Sequence, residues 1–297
     1  MKRTLFLLCI LFYGHVNMAQ SLMLDTASIR LQGGFFYTHY TGVYDNDGEK
    51  KITPRVTHSG FIIRGQAALN ARWNVFLAAP VIIYNSVEAS DAPGGVNKRT
   101  TLTKPGDAEI GIRYGFITHK EITACFTLWQ SLGTGYRDKK VFLNTGFADF
   151  NTKLSFDLQY QKSEKLLFKT YMAFNNRNND FSDEFHAGLM TNFRIYNNLS
   201  LNIYAKGVLS LENGSEMPEL YLLGLYHNNW GILSSGLQIN YEKNKGIGCY
   251  AGIDIPIRGQ YVYASPLLEA GILIKLSADK KEKVQEDIKK SDSKELK

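Results

Sequence analysis

The sequence predicts an all-β fold: a transmembrane antiparallel β-barrel of about twelve strands, with short turns at one end and longer loops at the other. Three observations carry this reading. Apolar and polar residues alternate at period 2 in successive segments of about 10 to 13 residues. Short and long connections alternate between those segments. After the N-terminal leader the longest apolar run, Val75 to Ile83, contains Pro80 and falls well short of the roughly 20 residues a membrane helix needs.

Composition supports the same class. An apolar fraction of 44% excludes a disordered chain. A slightly negative mean hydropathy argues against a bundle of membrane helices. It does not argue against a barrel, because each strand averages a lipid-facing and a lumen-facing row.

The clearest alternation runs from Asn151 to Gln161. Asn151, Lys153, Ser155, Asp157, Gln159 and Gln161 form one face, and Thr152, Leu154, Phe156, Leu158 and Tyr160 the other. In 106–116, Asp107, Glu109, Gly111, Arg113 and Gly115 oppose Ala108, Ile110, Ile112, Tyr114 and Phe116. In 184–195, Glu184, His186, Gly188, Asn192 and Arg194 oppose Phe185, Ala187, Leu189, Phe193 and Ile195. The same pattern gives strands near 28–40, 55–70, 72–86, 106–117, 120–132, 150–161, 166–175, 183–196, 199–211, 231–242, 247–257 and 265–276. Short turns are expected at 70–72, 118–119, 162–165, 197–198 and 243–246. Long loops are expected at 41–54, 87–105, 133–149, 176–182, 212–230 and 258–264. A soluble β-sandwich uses strands of about 5–6 residues. These segments are twice as long and match the about 9–11 residues of a tilted membrane strand.

The sequence holds 17 Tyr, 17 Phe and 3 Trp, and the barrel assigns many of them a place. Trp73, Phe116, Tyr160, Phe193 and Tyr241 fall on the apolar face near turn ends. Phe35, Tyr37, Phe61, Phe174 and Phe185 fall on it near loop ends. Two rims of aromatic side chains are expected where such a barrel meets the two membrane interfaces.

Residues 1–19 read as a secretory signal peptide. Lys2 and Arg3 are basic, Thr4 to Tyr13 are apolar, and cleavage is expected after Ala19. Cys9 follows Leu8, which is too large for a lipidation site. The barrel then occupies 20–276, and 277–297 form a charged periplasmic tail without apolar periodicity. Of the net charge of +6, the leader carries +2 and the tail, with seven Lys against six Asp and Glu, carries +1. The remaining +3 is no footprint for nucleic acid.

If the polar faces point inward, the lumen gathers Arg30, Arg64, Arg72, Arg113, Lys153, Lys169, Arg194, Lys206 and Lys275. Facing them are Asp107, Glu109, Glu121, Asp157, Glu184, Glu242, Asp254 and Glu269. Charge on the lipid face costs about 2–4 kcal/mol at mid-membrane, so confinement of charge to one face follows from the bilayer alone. The near balance of signs implies ion pairing within a narrow lumen that favours neither cations nor anions strongly.

Catalytic patterns are weak. In Thr57-His58-Ser59-Gly60 the His and Ser are adjacent on a strand and so point to opposite faces. The six His residues are isolated, without the paired spacing of a metal site. The glycines of Gly246 to Gly252 precede no helix, as a dinucleotide loop would require. Cys125 and Cys249 fall on the fifth and eleventh strands, too far apart to bridge. The residues give no reason to expect a cofactor.

Segment 106–114, Gly-Asp-Ala-Glu-Ile-Gly-Ile-Arg-Tyr, resembles a motif of the outer-membrane family labelled "MetA-pathway of phenol degradation". There a Gly-Asp pair opens a strand after a long loop and is followed by Gly-x-basic-aromatic. Phe76 to Pro80 and the polar loop after them suit the same pattern, and 231–276 look similar to Bacteroidetes barrels. The resemblance spans most of the mature chain in rhythm and about ten residues in motif. It implies an outer-membrane barrel of transporter-like type, without a catabolic activity. The last strand, with Glu269, Gly271, Ile274 and Leu276, resembles the terminal signal read by the barrel-assembly machinery, with Leu276 where an aromatic is usual.

These readings place the protein in the cell outer membrane, with lipid and the assembly machinery as partners. The expected function is passive or facilitated passage of a small solute, with hydrophobic and aromatic solutes among the candidates. Two other classes stand beside it: a structural or surface-binding protein acting through loops 87–105, 133–149 and 212–230, and a lipid-modifying barrel enzyme.

Overall fold

The computed structural model describes residues 22–89, 98–119, 121–137, 143–147, 150–178, 181–214, 229–243 and 246–277. The expected signal peptide and the tail beyond Ser277 lie outside them, as do parts of the three loops named above. Fourteen strands form: β1 (Ser28–Tyr44), β2 (Lys50–Ala68), β3 (Trp73–Val87), β4 (Thr100–Lys104), β5 (Glu109–Thr118), β6 (Ile122–Ser131), β7 (Thr152–Ser163), β8 (Leu166–Asn176), β9 (Glu184–Tyr196), β10 (Leu199–Ser210), β11 (Gly231–Lys243), β12 (Ile247–Gln260), β13 (Val262–Tyr263) and β14 (Leu267–Ser277). All but β4 and β13 build one antiparallel barrel of twelve strands. It closes because β1 pairs with both β2 and β14, Arg30 lying opposite Gln66 on one side and Lys275 on the other.

The burial pattern is inverted relative to a soluble protein. Leu31, Phe35, Leu128, Leu154, Met172 and Ile239 are exposed on the outside, while Asn74, Asn85, Thr127 and Asn202 are fully buried within. A continuous apolar exterior of this kind is stable only against lipid. On β1 it runs from Ile29 to Tyr37 and then gives way to His39 and Thr41. On β2 the outward row likewise changes from Phe61 to Ser59, Thr57 and Arg55. Phe35, Tyr37 and Phe61 therefore mark the loop-end border of the apolar band, and Trp73, Phe116, Tyr160, Phe193 and Tyr241 the turn-end border, as the alternation predicts.

Two expectations need correction. The long loop at 41–54 is a tight hairpin instead, because β1 and β2 stay paired above the apolar band until Tyr44 meets Lys50. The turn holds together because Asp45 Oδ1 accepts from the amides of Asp47 and Glu49 at 3.0 and 2.8 Å, and Gly48 adopts φ +77°. The strand expected at 106–117 begins only at Glu109. Its neighbour β3 pairs with β5 through Trp73–Ala78 and with β4 through Ile83–Val87. Between these two stretches the wall is bridged by the Gly106 amide donating to the Pro80 carbonyl at 2.8 Å. Pro80 has no N–H to offer a ladder, and β3 is irregular beside it, opposite Phe61 and Ile62.

Candidate functional site: the lumen and its cavity

The turn end of the lumen has a floor made by the segment before β1. Leu22, Met23 and Leu24 are buried, although a short chain segment at an open mouth would ordinarily be exposed. Side chains of the wall capture their backbone. The Leu22 amide donates to Gln159 Oε1 at 3.0 Å, and its carbonyl accepts from Arg113 Nη1 at 2.8 Å and Gln66 Nε2 at 3.2 Å. The Leu24 amide donates to Asn74 Oδ1 at 3.1 Å. Met23 and Leu22 pack with the buried Cys125. Every backbone group named here finds a partner on a different strand, which is how a non-strand segment can sit inside a barrel without unsatisfied polar groups.

Above this floor, charges pair along the inner wall, each pair spanning one intervening strand. Arg113 on β5 reaches past β6 to Asp157 on β7 at 3.8 Å, with Thr127 Oγ1 hydrogen-bonded to both at 2.8 and 2.9 Å. Lys206 pairs with Asp254 at 2.6 Å, and Lys153 with Glu109 at 3.6 Å. An amide ladder, Asn192 to Asn202 to Gln238 at 2.6 and 3.2 Å, links β9, β10 and β11. Aromatic side chains that face inward lie along the wall opposite glycines. Tyr171 stands opposite Gly188, Tyr204 opposite Gly236, Tyr250 opposite Gly271 and Trp129 opposite Gly111. At Gly236 an added Cβ would meet the Tyr204 ring at 2.3 Å and the Ile253 carbonyl at 2.4 Å.

A cavity of about 370 Å³ opens in the lumen against β1, β2, β3 and β5 and reaches side chains of β6, β7, β8, β9 and β14. Arg30, Arg64, Arg113 and Lys153 line it with Asp107, Glu109, Glu184 and Glu269, and Phe36, Phe76, Trp129 and Trp230 supply aromatic surface. The Arg113 guanidinium lies over the Phe76 ring at 4.5 Å, and Phe76 and Trp129 are 5.1 Å apart. Towards the loop end, Glu184 collects four donors: Arg177 Nη1 at 2.6 Å, Trp230 Nε1 at 2.6 Å, His186 Nε2 at 2.8 Å and Asn175 Nδ2 at 2.9 Å. Arg177 is itself held against the Phe147 and Phe181 rings at 3.8 and 4.3 Å. Beyond this cluster Tyr40, Val56, Val87, Leu102, Val208 and Ile232 meet from opposite sides of the barrel. They form an apolar layer across the bore.

The Gly106-Asp107 pair belongs to the side wall. Asp107 accepts from the amides of Gly135 and Phe147, both at 2.6 Å, and so ties the β6–β7 loop to the break between β4 and β5. Thr134 Oγ1 donates to the Gly106 carbonyl at 2.7 Å, and Thr145 Oγ1 to that of Pro105 at 2.6 Å. The carboxylate sits where a side chain at 135 or 146 would begin: a Cβ at Gly146 would lie 2.3 Å from it.

Of the ten residues singled out as candidate lining, Arg30, Arg64, Glu109, Arg113, Lys153, Asp157, Lys169 and Glu184 face the interior. Arg194 and Glu121 are solvent-exposed at the turn end, Glu121 in the β5–β6 turn, because alternation assigns a face and not a depth. Arg72 is likewise exposed in a turn. Arg177, His186 and Trp230 escape sequence reasoning as a group. Their convergence on Glu184 depends on where two loops fold back, and only the inward register of His186 could have pointed to it. His58 faces inward, with Nδ1 2.5 Å from Asn85 Oδ1 and its ring 5.0 Å from Phe36, whereas Ser59 belongs to the outward row. Cys125 is buried on β6 and Cys249 exposed on β12. Among the described residues no cluster of three His, Cys, Asp or Glu could hold a metal ion.

No family model and no curated protein matches the chain. Solved structures do. The COG4313 outer membrane channel from Pseudomonas putida F1 matches with a TM-score of 0.68 at 13% identity, over 89% of this chain and 100% of that one. The NanC porin matches with a TM-score of 0.51 at 8% identity, over 84% of this chain and 100% of that one. At these identities the likeness is one of fold: this chain has the architecture of an outer-membrane channel barrel.

Proposed function

We propose that the protein is an outer-membrane channel for passive or facilitated passage of a small solute. The observation that carries this is a closed barrel with an apolar exterior whose bore holds a cavity of about 370 Å³. A purely structural barrel of this width could fill that space with side chains. The COG4313 channel and the NanC porin share this architecture and support the reading. In this reading the short turns and the 22–25 segment face the periplasm and the long loops the exterior. Glu269, Gly271, Ile274 and Leu276 present the assembly signal on the closing strand. The partners are then outer-membrane lipid and the barrel-assembly machinery. The Gly106 to Tyr114 segment supports kinship with the family labelled "MetA-pathway of phenol degradation" and with Bacteroidetes barrels. We read the protein as non-enzymatic, with its inward histidines engaged by Asn85 and Glu184.

Liposome swelling tests this. Vesicles carrying the purified protein are expected to swell in isotonic glycine, arabinose or sodium benzoate faster than empty vesicles. No permeation of any of the three would overturn the reading.

A further inference from the structure

Most charges around the cavity are already matched. Lys153 pairs with Glu109, Arg113 with Asp157, and Glu184 with Arg177 and His186, while two backbone amides hold Asp107. Two guanidinium groups are left, Arg30 and Arg64, with the Glu269 carboxylate. Arg30 and Arg64 sit on adjacent strands in diagonal register, since Arg30 lies opposite Gln66 and Arg64 opposite Gln32. Neither has an ion-pair partner within 4.0 Å among the described residues. Arg30 Nε and Arg64 Nη1 are buried with no hydrogen-bond partner, and the bond from Arg30 Nη1 to Gln66 Oε1 is long, at 3.4 Å. A buried guanidinium nitrogen without an acceptor is costly to a fold, and the planar group is matched best by a carboxylate. The same cavity carries the Phe36, Phe76 and Trp129 rings.

We propose that the cavity binds a small organic monocarboxylate with an aromatic or apolar body, its carboxylate received by Arg30 and Arg64 and its body lying against Phe36, Phe76 and Trp129. The remaining chemistry narrows the class. A neutral hydrocarbon leaves Arg30 Nε and Arg64 Nη1 without an acceptor. With Glu269 on the same lining, the two guanidinium groups leave a net single positive charge, which a monoanion matches and a dianion such as phosphate exceeds. A cation meets the same net positive charge. The cavity lies near the lower end of the roughly 300–1,000 Å³ of small-molecule sites, which suits one ring and a short acid chain. This inference rests on the channel reading, since the ligand enters through the bore, and it names the solute class that the bore would retain.

The test is calorimetric titration of the purified full chain in lipid nanodiscs. The probes are 4-phenylbutyrate, its neutral amide 4-phenylbutyramide, and acetate. Phenylbutyrate is expected to bind saturably and to quench tryptophan fluorescence through Trp129. The amide and acetate should each bind at least about tenfold more weakly. Arg30→Gln and Arg64→Gln should each weaken phenylbutyrate by about tenfold or more, with Arg64→Lys intermediate because charge remains and the planar fork is lost. Arg55→Gln, outside the lumen, should bind as wild type. Equal affinity for acid and amide, no binding of the acid, or unchanged binding by folded Arg30 and Arg64 variants would each overturn the proposal. Should the lumen variants fail to show the gel shift of a folded barrel, the comparison of acid with amide on the wild-type protein decides. Swelling of the same preparation in arabinose separates the two readings. Swelling without carboxylate binding sinks this inference alone, whereas loss of all permeation sinks the channel reading.

Discussion

From β7 round to β12 each strand pairs with the next almost throughout, with register shifts only near strand ends. The space inside is taken up by Tyr171, Tyr204 and Tyr250 lying along glycines, by the Asn192–Asn202–Gln238 ladder and by the Lys206–Asp254 pair. From β2 round to β6 the wall is interrupted. β3 has an irregularity beside Pro80, its partner is split into β4 and β5, and the cavity opens against them. Regular pairing and a filled interior go together on one side; on the other the ladder is broken beside the hollow, with Trp129 opposite Gly111 on its border. An inward ring that lies flat against the wall needs a glycine opposite it in unbroken register. An irregularity shifts that register and leaves room in its place.

Substitutions on the two sides should destabilise the barrel to different degrees, read as shifts of the urea unfolding midpoint in detergent. Glu184→Gln is expected to have the largest effect, about 3–5 kcal/mol, because Arg177 would be left as a buried charge without its counter-ion; a loss under about 1 kcal/mol would show that the cluster is hydrated. Gly236→Ala on the filled side comes next, at about 1–3 kcal/mol, since the new methyl meets both a ring and a carbonyl. A drop no larger than that of the lipid-facing Gly65→Ala would argue that the filled side is loosely packed. Asp107→Ala should move the midpoint by only about 1 kcal/mol, yet speed amide exchange through 132–136 and 143–147, where the carboxylate holds the loop. Unchanged exchange there would mean that the threonine bonds alone fix the loop. Gly65→Ala is expected to be smallest, within about 0.5 kcal/mol, as its methyl would meet nothing closer than Leu31 at 3.6 Å.

What the sequence made legible divides along the same line. On the filled side the strand limits expected from alternation lie close to the structural ones, β8 spanning Leu166–Asn176 against an expected 166–175. Period 2 is a local property and survives wherever pairing is regular. On the hollow side the alternation at 106–116 continues through Asp107 and Ala108, although the ladder starts at Glu109. The backbone break follows from Pro80 and from the loop that Asp107 captures 28 and 40 residues away. Leu22 to Leu24 carry no local mark of a floor either, since their partners are Gln159, Arg113 and Asn74 on three different strands. The charged lining was legible as a face, but its pairings were not. Arg177 and Trp230, which complete the environment of Glu184, come from connections that period 2 does not describe.

On the proposed reading the hollow side of the lumen is the solute's path, and the segment before β1 is its floor. Single-channel conductance in planar bilayers tests it most directly, comparing the wild-type protein with a variant in which Leu22, Met23 and Leu24 are all replaced by glycine. Loss of the packing against Cys125 and of the ordered backbone should free the floor. The prediction is a larger and steadier conductance for the variant, with the barrel still showing a gel shift on heating. Equal conductance from the two folded proteins would contradict a floor formed by these residues.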